Sequence, residues 1–418
     1  MKKFMMLVVA LLLVAGIWHY ATSQDLTKEG KYYKTTIHKT FDVNPGGTLN
    51  IENVESDIQI TTWDKNRVYI QERLALNVYT QEEAKERVSQ KEKNYKQNGN
   101  NVTITGTDGW DNEGSDFEIK VPRKYNLNLN TKSGDVVISG LEGNIEARTS
   151  GGDIEVSEIT GVVRVSTSGG DMSFKGISGS LTANTSGGDI ELFNILCECT
   201  VNTSGGDITL EKATQRVSLQ TSGGDVEASN VEGSLSIGTS GGDVVVSNCS
   251  GEQVALHTSG GEIEMINIKG RINANTSGGD IDGRTFYKPV EVKTSGGDIE
   301  ILDVQSSLTA QTSGGDVVAE ITLKDFSQPH SVELETSGGD IDLTLPANIP
   351  ASINAEIRLN RSGRDWERYD IYSDFPLTKT KPGEFGDRTL QSTGDINGGG
   401  DPIILKTKNG NITIHKAN

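Results

Sequence analysis

The side chains with the most evident chemistry in this sequence are carboxylates set at a fixed interval. An acid follows a glycine pair at Asp153, Asp171, Asp189, Asp207 and onward to Asp340, with Glu262 the one glutamate and Asp135 in a degenerate copy. Stacked ~4.8 Å apart, such carboxylates repel by about 1 kcal/mol per neighbouring pair even in water, and a divalent cation would relieve that. Calcium-binding rolls, however, place Asp several residues after the glycines and on both half-turns. Here Asp follows directly and once per period, so the spacing favours a structural ladder in which backbone and Ser groups satisfy each carboxylate. So regular a ladder singles out no general acid or base, because a catalytic group would have to break register. Arg284, Tyr287 and Lys288 do fall in one unusual unit, but they define no reaction. We therefore assign no catalytic, cofactor-binding or metal-ligating residue and expect no cofactor. The alternatives are a carbohydrate-active β-helix enzyme, with acids clustered across neighbouring coils, and a calcium-stabilised binding module.

Other reactive types are sparse. His19, His38, His257, His330 and His415 lack the paired spacing of a zinc site and read as surface residues. Cys197, Cys199 and Cys249 form an odd set unlike the dense, even sets of disulfide-stapled domains. Repeat register puts Cys199 and Cys249 at core positions three coils apart, roughly 14 Å, too far to bond, so they read as buried thiols. The glycine pairs lie between strands with no following Lys and helix, which excludes a phosphate-cradling loop.

What positions all of these groups is a repeat. TSGGD or TSGGE begins at Thr149 and recurs every 18 residues to Thr239, then from Thr258 to Thr312, with a final copy at Thr336 and a degenerate TKSGD at Thr131. One interval is 19 residues, and one of 24 carries an insertion around Leu323 to Ser331. Counting from Thr as position zero, apolar residues recur at positions 5, 7, 10, 14 and 16, as in Ile154, Val156, Ile159, Val163 and Val165. That alternation means two short strands per unit, with turn signals at the glycine pair and at a frequent Gly at position 12. One such unit cannot bury its apolar face, whereas stacked copies share a continuous core. The expected fold is all-β: a single-stranded parallel β-helix, or β-solenoid, with ~18-residue coils and irregular terminal caps, its regular part about 55 Å long. Thr at position zero continues the inward alternation, so its hydroxyls should form an inner column. The paired glycines should turn the corner with positive φ.

Residues 1–23 read as a signal peptide: Lys2 and Lys3, an apolar run from Phe4 to Trp18, and a small-residue site at Ala21-Thr22-Ser23. The run is short of the ~20 residues of a spanning helix, and a short uncleaved anchor is the alternative. Removing it gives a net charge of −19 − 2 = −21, which should repel nucleic acid and anionic lipid. Residues 24–130 read as irregular β coils and a cap with a charged helical excursion, 131–350 as the regular solenoid, and 351–418 as divergent coils and a cap in which Arg361 to Tyr369 cover the end of the shaft.

The TSGGD coils, their Val121-Pro122-Arg123-Lys124 entry, their Leu345-Pro346-Ala347 exit, and the terminal Ile396-Asn397-Gly398-Gly399-Gly400 and Thr407-Lys408-Asn409-Gly410-Asn411-Ile412 segments resemble a bacterial putative-adhesin family of exported repeat proteins. The resemblance spans nearly the whole mature chain and implies a β-solenoid in a cell-envelope or surface setting, with nothing catalytic to carry over. The expected protein is an exported, periplasmic, surface or extracellular structural or adhesive one. The partners it suits are glycans or envelope proteins, not nucleic acid, held on outward positions 13, 15 and 17, as at Ser180, Thr182 and Asn184. No integral membrane span is expected after signal removal.

Overall fold

The computed structural model describes residues 26–106, 114–359, 368–380 and 389–417. It is a parallel β-solenoid in which each coil gives one strand to each of two faces. On face one, Ile208–Ala213 lies on Val226–Val231 and then on Val244–Cys249. On face two, Val217–Gln220 lies on Leu235–Gly238 and then on Gln253–His257. Residues pair 18 apart, the repeat length, so like stacks on like. The apolar periodicity becomes the core directly: Ile208, Leu210, Ala213, Val217 and Leu219 are all buried, and the same positions of nearly every coil join one continuous cluster.

Departures from the period are absorbed at corners. In the 19-residue interval, Ser229 pairs with Ser247 across 18 residues and Ser250 N still donates to Val231 O, while Leu235 pairs with Val254 across 19, so the extra residue sits in the turn between Ser250 and Val254. The six-residue insertion leaves between Ile321 and Val332 and returns to register.

At both ends the stacking order departs from chain order. Thr48–Glu55 and Asp57–Trp63 form a coil held between Asn126–Ser133 and Val136–Ser139 on one side and Asn101–Thr105 and Gly114–Pro122 on the other. Likewise Asp401–Thr407 and Ile412–Lys416 are held between Val332–Glu335 and Ile341–Leu345 inside, and Ala351–Arg358 and Ile371–Ser373 outside. Each end therefore has an intercalated coil with hydrogen bonds on both edges. Antiparallel strands then close the edges: Tyr32–Asp42 on Arg67–Leu76 at one end, Thr389–Ile396 on Ala351–Arg358 at the other. Most of the stretch Arg361 to Tyr369 lies outside the described residues.

The helix Gln81–Lys91 covers the first of these antiparallel pairs. Thr80 caps it by accepting from Glu83 N at 3.1 Å, and Glu82 and Glu83 place negative charge at its positive end. Ala84 and Val88 pack on Ile37, Leu74 and Leu76 as a small satellite core. Beneath it the buried Glu72 accepts from Lys91 Nζ at 3.0 Å, from Ser115 Oγ at 2.6 Å and from the Tyr95 hydroxyl. Burying a carboxylate is tolerable only with such a set of donors, and here the donors tie helix to sheet.

Candidate functional site

The TSGGD corner is a hydrogen-bond machine, and its residues have separable tasks. Thr221 is buried; its Oγ1 donates to Gly206 O of the coil below at 2.9 Å and accepts from Gly224 N at 3.2 Å. The inner hydroxyl column is thus real, but each hydroxyl bonds backbone, not the next Thr. The aspartate ladder works similarly: Asp225 N donates to Asp207 Oδ1 at 2.8 Å, and Asp225 Oδ1 accepts from Asp243 N at 2.7 Å. One oxygen of each carboxylate is thereby spent on the neighbouring coil's backbone. The ladder runs past the regular units, from Asp57 under Asp135 to Asp340, which accepts from Asn411 N, so both intercalated coils are tied to it. Glu262 accepts no such bond from Asp280 N, which fits its extra methylene carrying the carboxylate out of reach. Among the described residues no three His, Cys, Asp or Glu side chains converge as metal ligands.

The glycines correct one expectation. None of the TSGGD glycines has positive φ. The second glycine is instead required by close approach: a Cβ on Gly224 would lie 2.0 Å from Gly206 O, whereas one on Gly223 would meet Gly205 O at 3.7 Å. Left-handed conformation appears at position 9, a corner the sequence reading passed over. Asn194, Asn230, Asn248 and Asn267 adopt φ of 54 to 57° there, as do Glu158 and Asp303. Asparagine tolerates this region better than most residues, and its recurrence at position 9 was the available signal.

The unusual unit at Arg284, Tyr287 and Lys288 exposes all three on the corner side without gathering them around a cavity. Its peculiarity is a volume exchange in the core. Gly283 occupies an apolar position, and the ring of Phe286 fills the gap so closely that a Cβ on Gly283 would lie 2.4 Å from it. Beside it Glu264, Asp282 and Glu300 stack in register on the outer surface. Partial burial, then Glu300 and the other nearby acids, raise the Asp282 carboxyl above its ordinary value.

His330 is not a surface residue as expected. It is buried, with Nδ1 2.8 Å from Gln328 O, Nε2 3.0 Å from Pro350 O, and its backbone N–H donating to Asp401 Oδ2. It pins the insertion to the C-terminal cap. The three cysteines are buried and form no disulfide. Burial pushes the Cys199 thiol up to about 12 and those of Cys197 and Cys249 to about 11.

The outward strip of face two carries a hollow. Gln220, Gly238, His257 and Asn275 stack in register at position 17, with Ser236, Ala255 and Asn273 beside them at position 15. Gly238 and Ala255 leave out the side chains that would level the strip. The resulting groove has a volume of about 400 Å³ and is lined by hydroxyls, amides and the His257 ring, with no Asp, Glu, Lys or Arg. On a chain of net charge −19 this is a neutral island. The strip was legible as outward-facing; the notch made by a lone Gly at position 17 was in the sequence and went unremarked.

No curated protein matches the chain. Among solved structures it is similar to a putative cell adhesion protein from Clostridium sporogenes, at 8% identity over 91% of this chain and 100% of that one, with a TM-score of 0.14. A family model described as Toastrack DUF4097 matches residues 48–234, 196–285 and 230–415, which together run from the N-terminal intercalated coil to the C-terminal one. The chain belongs to the Toastrack DUF4097 family.

Proposed function

We propose that this is an exported, non-catalytic surface or cell-envelope protein that binds partners through the outward strip of face two. The observation that carries the reading is the uncharged groove around Gly238. Amide, hydroxyl and imidazole groups offer both donors and acceptors, the complement of a neutral glycan or a polar loop of an envelope protein. The acidic surface elsewhere keeps other anions away and leaves the groove as the place where an uncharged partner meets no charge to desolvate. The non-catalytic part is supported by where the strongly shifted groups sit: the raised thiols and the raised Tyr95 and Tyr125 are locked in packing, not displayed in a cleft.

A glycan and envelope-protein binding screen tests this with the intact protein and with Gly238→Gln. The new side chain fills the groove, and since neighbouring coils already carry Asn202 and Gln220 at this position, the fold should accept it. Saturable binding by the parent and its loss in the variant, at unchanged melting temperature, is the expected result. Binding that ignores the substitution would remove the groove from the argument, and absence of binding across the screen would leave a purely structural role.

A further inference from the structure

Charge is not spread evenly along this molecule. Residues 1–39 hold Lys2, Lys3, Lys28, Lys31, Lys34 and Lys39 against Asp25 and Glu29, a sum of +4, so residues 40–418 carry −19 − 4 = −23. The described part of the basic segment is a hairpin, Thr27–Glu29 paired with Tyr32–Asp42, at the extreme N-terminal edge of face one. Lys28, Lys31 and Lys34 are exposed on it. Two of them lie over aromatic rings, Lys28 over Tyr33 at 5.0 Å and Lys31 over Tyr32 at 4.9 Å, while Lys34 pairs with Glu29.

We propose that this hairpin is a contact for anionic phospholipid headgroups and seats the N-terminal end of the shaft on a membrane surface. Three features favour a membrane over another polyanion. Lysine beside tyrosine is the pairing that suits the interface: the half-buried Tyr32 can take the headgroup level beside Lys31, while Tyr33 is buried in the satellite core and leaves only the Lys28 ammonium to meet phosphate. The apolar run Phe4 to Trp18 ends nine residues before Thr27, so the chain between them, fully extended, spans at most roughly 32 Å. If that run enters a bilayer, the hairpin is held close to the headgroups. The shaft's strongly acidic remainder would then be repelled by the same surface, so only this end can approach it.

The test uses the full-length protein with vesicles of phosphatidylcholine alone and vesicles containing one-third phosphatidylglycerol. Where the apolar run is kept as an uncleaved anchor it would enter either kind of vesicle, so the quantity read is the difference in affinity between them. We expect tighter binding to the anionic vesicles, weakening as salt shortens the screening length. Neutralising three surface lysines with K28Q, K31Q and K34Q should reduce that preference roughly hundredfold, at about a fivefold factor per lysine. The melting temperature checks that the triple variant is folded, and the salt titration of the unaltered protein gives an answer even if it is not. Equal affinity for the two vesicle types, a preference indifferent to salt, or a folded triple variant that keeps the preference would overturn the proposal.

Discussion

Gly224→Ala and Gly223→Ala add the same methyl group to adjacent residues of one corner, and the structure gives them different fates. At 224 the new carbon would start 2.0 Å from Gly206 O and 2.4 Å from Gly206 C, whereas ordinary contact begins near 3.4 Å. The coils must move apart by about 3.4 − 2.0 = 1.4 Å at that corner, because the obstacle is backbone and no rotamer change relieves it. Overpacking of this kind costs about 1–3 kcal/mol. Separation also stretches the two bonds between the coils at this corner, from Thr221 Oγ1 to Gly206 O and from Asp225 N to Asp207 Oδ1, each worth about 1 kcal/mol. The total expected is about 3–5 kcal/mol, concentrated at one coil interface, since stacked repeats couple only to neighbours. At 223 the contact is ordinary and φ is not positive, so the substitution should lie within about 0.5 kcal/mol of the parent, on the stabilising side if unfolded-chain entropy dominates. Denaturant unfolding gives both values, and hydrogen exchange should show amides of residues 206–225 opening selectively in Gly224→Ala. Equal losses in the two variants would refute the close-approach account of the glycine pair.

Four further outcomes follow from the geometry. Asp225→Asn keeps the acceptor for Asp243 N and should be neutral or slightly stabilising, whereas Asp225→Ala should cost about 1 kcal/mol; chelator should leave the melting temperature unchanged in all three proteins. Thiol reagents at mildly alkaline pH should label none of Cys197, Cys199 and Cys249 in the folded protein and all three after unfolding. The folded state binds the Asp282 proton more tightly than the unfolded chain, so ionising it costs stability as pH rises through the raised value; Asp282→Asn should raise the melting temperature at neutral pH and have no effect well below pH 3.8. Thr35 Oγ1 is buried without a partner, so Thr35→Val should stabilise the N-terminal cap by about 1 kcal/mol in a thermal melt.

How far the sequence could be read depended on whether a feature repeats. Positions 5, 7, 10, 14 and 16 announced the strands and the core because each apolar residue is stacked on its own kind, and local alternation and global register agree. The glycine pair announced a corner but not its cause, since positive φ and close approach leave the same residue type in the sequence. The intercalated ends left no local mark at all. Nothing in Ile58-Gln59-Ile60 says whether its neighbour is Val136–Ile138, Phe117–Ile119 or, as here, both. That pairing is a long-range choice, made because a terminal coil with both edges bonded exposes less unpaired backbone than one left outermost. His330 was misread for a related reason: only the insertion's return path brings Pro350 and Asp401 to its ring and backbone.

In an array of this kind a specific site has to be a departure from the repeat, because whatever every coil does cannot distinguish one place on the shaft from another. The departures differ in what they leave at the surface. The Gly283 and Phe286 exchange is resolved inside the core and leaves the outer strand level. The insertion spends its His330 and the Asp401 carboxylate on fixing its own end. Glu262 drops one rung of a ladder whose remaining carboxylates are already bonded to backbone. Gly238, with Ala255 beside it, subtracts volume from an outward row while the bonds that hold its coil stay intact, with Ile237 and Thr239 buried on either side and Thr221 N donating to its carbonyl. A hollow that costs the fold nothing and faces solvent without charge is where binding can be selected independently of stability, and this separation is why the groove, not the more conspicuous aspartate ladder, carries the functional argument.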